Sequence, residues 1–290
     1  MGDSSQPDTG LEVNTFCFGG HEISIRCRKS VSKTANFKLT VQVPKRDLYN
    51  SLQGFGGGFA SDSDEDDVIA VDGDLDLLGL DIWPAAVRLC EYIAEHPDVA
   101  VGKNIIELGA GVGLPCLIAA KCGASKAYIS DYDQRVVDHA HENAKECGLG
   151  DVCQGLLLDW KKLEALSKEH VCSYDLVLAA DVMYISQIIP DFVQAIDHVL
   201  CPENGVVLIT HQERNSLVMD SSGIPEVIGM DVSFETFKDN VSRSGFLIRE
   251  LGACASEGFP GPMHIIAMSR DEACLQSLHV IDLTKFPSTM

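Results

Sequence analysis

The sequence predicts an α/β protein: a doubly wound, mostly parallel sheet, with a reversed strand near the C-terminus and an N-terminal β-rich extension. Three observations carry this expectation. From Lys103 onward short apolar runs alternate with helical stretches, the pattern of βαβ units whose sheet is covered on both faces. Phe246 to Leu251 and His264 to Ser269 are strand-like and joined by a Gly/Pro loop without a helix, so they can pair antiparallel and put a reversed strand at the sheet's end. Leu11 to Val43 instead alternates polar and apolar residues with period two.

Taken in order, Ile23, Ile25 and Cys27 share one face and Ser24, Arg26 and Arg28 the other, and Phe37, Leu39, Val41 and Val43 repeat the period. Gly19-Gly20 between such runs signals a hairpin. Asp47 to Val87 holds ten acidic residues and no Lys or Arg, including the glycine-rich GFGGGF and the run from Ser61 to Asp67. Such a stretch repels itself and buries little, so its middle is expected to be a flexible loop. Pro84 sits where a helix would begin, and Ala85, Ala86, Leu89, Cys90 and Ile93 recur at helical spacing until His96-Pro97. The expected strands beyond are Asn104–Leu108, Ala127–Ser130, Val152–Leu158, Leu176–Ala180 and Val206–Thr210. The best helices are Leu114–Cys122, Gln134–Cys147 and Ile188–Leu200. This divides the chain into a tail and β element (1–46), an acidic loop (47–76), an α/β domain (77–270) and a C-terminal tail (271–290).

Composition narrows the function. The 290 residues are 46% hydrophobic, ample for a packed core, but the net charge is −21. Nucleic-acid and anionic-membrane affinity rest on Lys and Arg meeting phosphates, so neither partner is expected and a protein partner with a basic surface suits the chain better. The eleven cysteines form no CxxC pair and are an odd number, which reads as thiols in a reducing compartment. The opening MGDSSQPDTG has no apolar stretch, so no secretory signal is expected, and no apolar run reaches bilayer-spanning length. The reading is a soluble monomer of the cytoplasm, with the nucleus left open as a second compartment. No histidine stands at metal-ligand spacing with cysteines, so no metal is implied.

The sharpest motif is the segment from Ile105 to Pro115, a strand followed by Gly109, Ala110, Gly111, Val112 and Gly113 and then a helix. Alternating glycines let the backbone turn tightly and approach a ligand, with unpaired helix N–H groups behind them. The dinucleotide fingerprint fails because its last glycine is Leu114, and Glu107 would repel a diphosphate while favouring positive charge. One strand later, Asp131 lies 18 residues beyond Gly113, where a carboxylate can accept hydrogen bonds from ribose hydroxyls. Together they describe a nucleoside ligand without a diphosphate.

With these residues the chain resembles the seven-strand, S-adenosylmethionine-dependent methyltransferases of class I, Rossmann-like fold, and within them methyltransferase family 16, the protein-lysine methyltransferase group. The resemblance rests on Gly79 to Ala86, Glu107 to Leu114, Ser130-Asp131, Leu158-Asp159-Trp160 and Ala179 to Tyr184, in that order. It implies S-adenosyl-L-methionine as cofactor. Glu107 and the loop Gly109, Ala110, Gly111 and Gly113 would hold the methionine moiety, Asp131 the ribose, and Asp159 with Trp160 the adenine. Trp83 would line the pocket, and Ala180 would let the strand backbone pass beside it. Asp181 and Tyr184 match the family's D-x-x-Y element, assigned to the substrate amine and methyl transfer. The implied activity is methylation of a lysine side chain of an intracellular protein. Another protein nitrogen (an N-terminus or arginine), a small molecule, or an idle cofactor-binding scaffold stay open. So do plain packing roles for Trp83, Trp160 and Tyr184, and a helix-capping role for Asp181.

Overall fold

The computed structural model describes residues 11–28, 79–219, 225–255 and 261–282. The second alternating run, Phe37 to Val43, the acidic loop 47–76 and the last eight residues lie outside the described residues.

The N-terminal alternation forms the expected hairpin, β1 (Leu11–Phe18) and β2 (His21–Arg28), turned by Gly19 and Gly20 at positive φ. Its inward face, Phe18, Ile23, Ile25 and Cys27, is buried. Helix α1 (Pro84–Glu95) begins at Pro84, as its missing N–H allows. The βαβ run follows: β3 (Asn104–Leu108), α2 (Leu114–Lys121), β4 (Lys126–Asp131), α3 (Gln134–Glu146), β5 (Cys153–Leu157), β6 (Leu176–Ala180), α4 (Ile189–Val199) and β7 (Val206–Gln212). A small hairpin, β8 (Ser216–Met219) with β9 (Pro225–Ile228), precedes α5 (Val232–Arg243), β10 (Leu247–Ala255), β11 (Pro262–Ser269) and α6 (Glu272–Ser277).

Seven strands form one sheet in the order β10-β11-β7-β6-β3-β4-β5, with β7, β6, β3, β4 and β5 parallel. The reversed strand corrects one expectation. It is β11, the last strand among the described residues, and it lies inside the edge between β10 and β7, antiparallel to both, so β10 is the edge. Every side chain from Ile105 to Leu108 is buried, as a strand covered on both faces requires. Ile105 belongs to one apolar cluster with Ile25, Leu89 and Leu117, and Ile106 to the other with Val177, Phe192 and Phe237. Helix α2 is buried on every side from Leu114 to Ala120, because the hairpin and α1 pack over the face it turns away from the sheet.

The hairpin joins the sheet unit through a polar tie as well. Asn143 of α3 is 1% exposed and pairs with both backbone groups of Arg26: its Oδ1 accepts from the N–H at 3.0 Å and its Nδ2 donates to the carbonyl at 3.2 Å. The same Nδ2 lies 3.4 Å from the Val112 carbonyl in the glycine bend. Arg28 is ion-paired to Asp81 just before α1. All eleven cysteines are free thiols. Among the described residues no helix is long and apolar enough to cross a membrane.

Candidate functional site

Strand order reverses between β3 and β6: the chain runs outward through β4 and β5 on one side and through β7 on the other. Crevices outside the strand carboxyl ends at such a point are the usual ligand sites of open α/β sheets. The glycine bend leaves β3 there, and the segment of Asp181 and Tyr184 leaves β6.

Gly109, Gly111 and Gly113 all have positive φ (63°, 54° and 81°), so glycine relieves backbone strain at each. They also relieve crowding. A Cβ on Gly109 would stand 2.9 Å from Val182 Cγ1 and 3.4 Å from the Trp160 ring, and one on Gly111 would stand 2.9 Å from the Gly79 carbonyl oxygen. The bend is thus pressed between the Gly79 segment and the end of β6. The Ala110 N–H donates to the Ser130 carbonyl at 2.9 Å, which holds the bend against the end of β4.

Glu107 is 1% exposed, and its Oε2 accepts the Cys116 N–H at 2.8 Å. The N-cap of α2 is Gly113, which has no side chain to cap with, so Glu107 reaches from β3 to satisfy one of the helix's orphan donors. Burial pushes its carboxyl up to about 8, against the pull of that hydrogen bond. Asp131, 8% exposed, is also pushed up by burial; its oxygens accept from Asp133 N at 3.2 Å and Gly111 N at 3.3 Å.

Trp83 immediately precedes α1, and the first turn of that helix is anchored over the sheet by Thr210 Oγ1 donating to the Ala85 carbonyl at 2.8 Å. Trp160 is half-buried, its ring edge beside Gly109 and its centroid 4.9 Å from that of Phe192. It belongs to the wall of the crevice and to the apolar cluster at once. Asp159 is turned to Lys162 at 2.9 Å, whose hydrogen bond holds it below the usual carboxylate range. Ala180 ends β6, half-buried, paired with Thr210.

Asp181 has φ 58°, the left-handed region, which Asp tolerates better than most side chains. It does not cap the following helix, whose N-cap is Ile188. Its carboxylate, 3% exposed, receives both arms of Arg214, Nη1 to Oδ1 at 2.8 Å and Nη2 to Oδ2 at 2.5 Å. His211 Nδ1 lies 3.9 Å away. Tyr184 is 39% exposed; burial of its hydroxyl, reinforced by Tyr132, Asp131 and Asp181 nearby, pushes it up to about 12.

Among the described residues the contacts bring Asp131, the glycine bend and Trp160 together, with Gly109 against Val182 as the seam and Asp181 and Tyr184 beyond it, whereas Asp159 is turned to Lys162 and Trp83 stands ahead of α1. The sequence reading missed Arg214 and His211, at and just beyond the end of β7. Their only signal is that position, since neither belongs to a motif. It also saw no possible metal cluster, whereas His96, Asp98 and His279 bring ligand atoms within 4.8 Å of one another. The two imidazoles there are stacked at 4.4 Å with planes 10° apart. Parallel rings cannot both point in-plane lone pairs at one ion about 2 Å away, so the cluster as arranged is a ring stack.

The donor set fits a cationic nucleoside. Two buried acids stand at neighbouring strand ends, and the bend between them carries glycine at each of its three positive-φ positions. S-adenosylmethionine carries a sulfonium, an ammonium and a ribose diol without phosphates, which matches this set.

Comparison with known proteins agrees. Residues 63–221 match the family model described as lysine methyltransferase. The chain is 28% identical over 212 residues to EEF1A lysine methyltransferase 3 of Mus musculus, covering 71% of this chain and 68% of that protein. It is 51% identical over 53 residues to histone-arginine methyltransferase METTL23 of Rattus norvegicus, covering 18% of this chain and 23% of that one. Among solved structures, the 16S rRNA N2 G1207 methyltransferase RsmC of T. Thermophilus, in complex with AdoMet and guanosine, superposes with TM-score 0.53 at 14% identity. That likeness covers 93% of this chain and 53% of the other and concerns the fold.

Proposed function

Because the chain belongs to the lysine methyltransferase family and has its S-adenosylmethionine-dependent, Rossmann-like architecture, we propose that it methylates a lysine side chain of a protein. The observation that carries this reading is the pair of buried acids, Glu107 and Asp131, at adjacent strand ends around a bend only glycine can make.

The cofactor supplies a methyl group on a sulfonium. Glu107 and the backbone of Gly109, Ala110, Gly111 and Gly113 hold its methionine part, and Asp131 orients the ribose. Asp159 and Trp160 form the adenine end, with Trp83 and Ala180 completing the walls. On the other side of the seam, Asp181 and Tyr184 take the amine. A lysine is protonated at neutral pH all but on the order of one part in a thousand, and only the neutral amine can attack. Asp181 attracts the ammonium, sharing its carboxylate with Arg214, and the Tyr184 ring and hydroxyl steer the nitrogen toward the methyl. An aromatic face adds roughly 0.5 to 2 kcal/mol for a cation held against it. Alignment then does most of the acceleration, without a covalent intermediate.

A strongly acidic chain suits an acceptor with a basic surface, and eleven free thiols suit the cytoplasm or nucleus. The short, closer match to the arginine enzyme keeps arginine as a second acceptor reading. Labelled S-adenosylmethionine incubated with the protein and a cell extract separates these when mass spectrometry locates the label. Lysine is the expected position, and label on arginine, on an N-terminus or in a small molecule would replace it. Asp181→Ala should abolish transfer while S-adenosylhomocysteine affinity stays within a few-fold. Equal loss of both would remove Asp181 from the methyl-transfer site.

A further inference from the structure

Resting on that reading and going past it, we propose that His211, backed by Asp231, is the positioning residue that receives the proton the substrate ammonium must lose, with Asp181 as the connecting carboxylate. His211 is fully buried next to the end of β7. Its Nε2 lies 2.9 Å from Asp231 Oδ2, while Nδ1 has no hydrogen-bond partner and faces Asp181 Oδ1 at 3.9 Å. A buried polar atom left unpaired is destabilising and calls for a reason. Proton transfer at that atom is one.

The tautomer follows from Asp231. This N-cap of α5 accepts the Phe234 N–H at 2.9 Å on Oδ1 and the Arg214 N–H at 2.9 Å on Oδ2. Although burial alone would raise it, the hydrogen bonds it accepts from His211, Phe234 and Arg214 hold it below the usual carboxylate range. An ionised carboxylate only accepts, so Nε2 donates, and Nδ1 is the atom left toward Asp181.

Charge counting gives the direction of the proton. With a neutral imidazole, Asp181, Asp231 and the Arg214 guanidinium sum to one negative charge in a buried cluster. An entering ammonium brings the sum to zero. Moving its proton to Nδ1 keeps it there: an N–H bond breaks at the ammonium, an N–H bond forms on the imidazole, and the released electron pair stays on the amine to attack the methyl carbon. Nothing is oxidised or reduced, and the imidazolium returns its proton to water after the products leave. The present gap is about an ångström beyond hydrogen-bond length. Asp181 closes it by passing the proton on as its hold on Arg214 is shared with the substrate. The other groups facing His211 are the Phe234 ring, 5.0 Å away on α5, and His264, its register partner on β11. His264 is itself bracketed by Glu213 at 3.0 Å and Glu250 at 2.8 Å.

His211→Gln keeps a side-chain donor for Asp231 but cannot titrate. Calorimetry with S-adenosylhomocysteine comes first. No heat with the wild type refutes the cofactor reading itself, and unchanged affinity in the variant shows an intact pocket. Transfer rates from labelled S-adenosylmethionine into extract proteins are then followed from neutral pH upward. The wild-type rate should be nearly flat, and the variant's should climb about tenfold per pH unit, because solvent must then take the amine proton. Parallel profiles, lower by one constant factor, would make His211 a packing residue and overturn the proposal. A second readout needs neither the variant's folding nor a protein acceptor: nitrogen-15 spectra of the wild-type imidazole in the S-adenosylhomocysteine complex at mildly alkaline pH. Nδ1 should be unprotonated there and gain a proton when n-butylamine is added as the lysine stand-in. An Nδ1 already protonated beforehand, or unchanged at high amine concentration, also overturns it.

Discussion

Replacing Glu107 with glutamine should change how stability depends on pH. In the folded chain the Glu107 carboxyl titrates near 8, raised by burial from an ordinary value of 4.5. Between those limits the unfolded chain has lost the proton and the folded chain still holds it. The raised value therefore contributes stability that is fully present below 4.5 and is lost as pH rises through 8, with a slope of about −1.4 kcal/mol per pH unit in between. The complete loss is about 5 kcal/mol as an order of magnitude. Glutamine preserves a carbonyl acceptor for the Cys116 N–H and removes the titration. In denaturant unfolding under reducing conditions, the stability of Glu107→Gln relative to wild type should thus rise by about 2 kcal/mol between pH 6 and pH 8. A difference that stays constant with pH would show that the carboxyl is already ionised in the fold and would refute the argument. The same reasoning predicts that S-adenosylhomocysteine, whose ammonium would stabilise the carboxylate, releases a proton on binding at neutral pH. Binding heats that vary with the ionisation enthalpy of the buffer measure it, and heats independent of buffer would contradict it.

Other perturbations test the packing around the site. Gly109→Ala places a Cβ 2.9 Å from Val182 Cγ1 at a φ of +63°, so calorimetry should show at least tenfold weaker S-adenosylhomocysteine binding, with about 1–3 kcal/mol of stability lost. Arg214→Met leaves the Asp181 carboxylate buried without its cation, and thermal unfolding should register a loss of about 2–3 kcal/mol, below the range for a fully buried pair because Arg214 is 27% exposed. Asn143→Ala removes both hydrogen bonds to Arg26 and should cost about 2 kcal/mol, with faster amide exchange in β2 than in β3.

How much of this was legible depends on sequence separation. The all-apolar Ile105-Ile106 run, the glycine bend and the acid at the next strand end are local patterns, and the structure puts them where their spacing implied. Helix α5 was missed although Phe234, Phe237 and Val241 stand at helical spacing, because the segment is otherwise polar and only Phe237 and Val241 of its apolar residues are buried. The place of β11 inside the edge was not readable either, since strand order among sequential neighbours is decided by packing across the sheet. The least visible residues were those that act by pairing at a distance. Arg214 meets Asp181 across 33 residues, and no spacing rule connects the ends of two adjacent strands. Glu107 looked like a ligand group alone, although it also caps a helix nine residues on.

That double duty explains why a glutamate stands at this place. An apolar residue would leave the Cys116 N–H unpaired at the buried start of α2, and a glutamine would satisfy it without ever supplying charge. A carboxyl that is neutral in the empty fold satisfies the helix at little electrostatic expense, then becomes an anion when a sulfonium nucleoside brings positive charge beside it. The desolvation that raises Glu107 is thus borne by the protein before binding, and the cofactor's own charge relieves it. Such a site discriminates by sign: a neutral nucleoside would leave Glu107 protonated, and a phosphorylated one would meet two buried acids with no Lys or Arg in the bend to offset them.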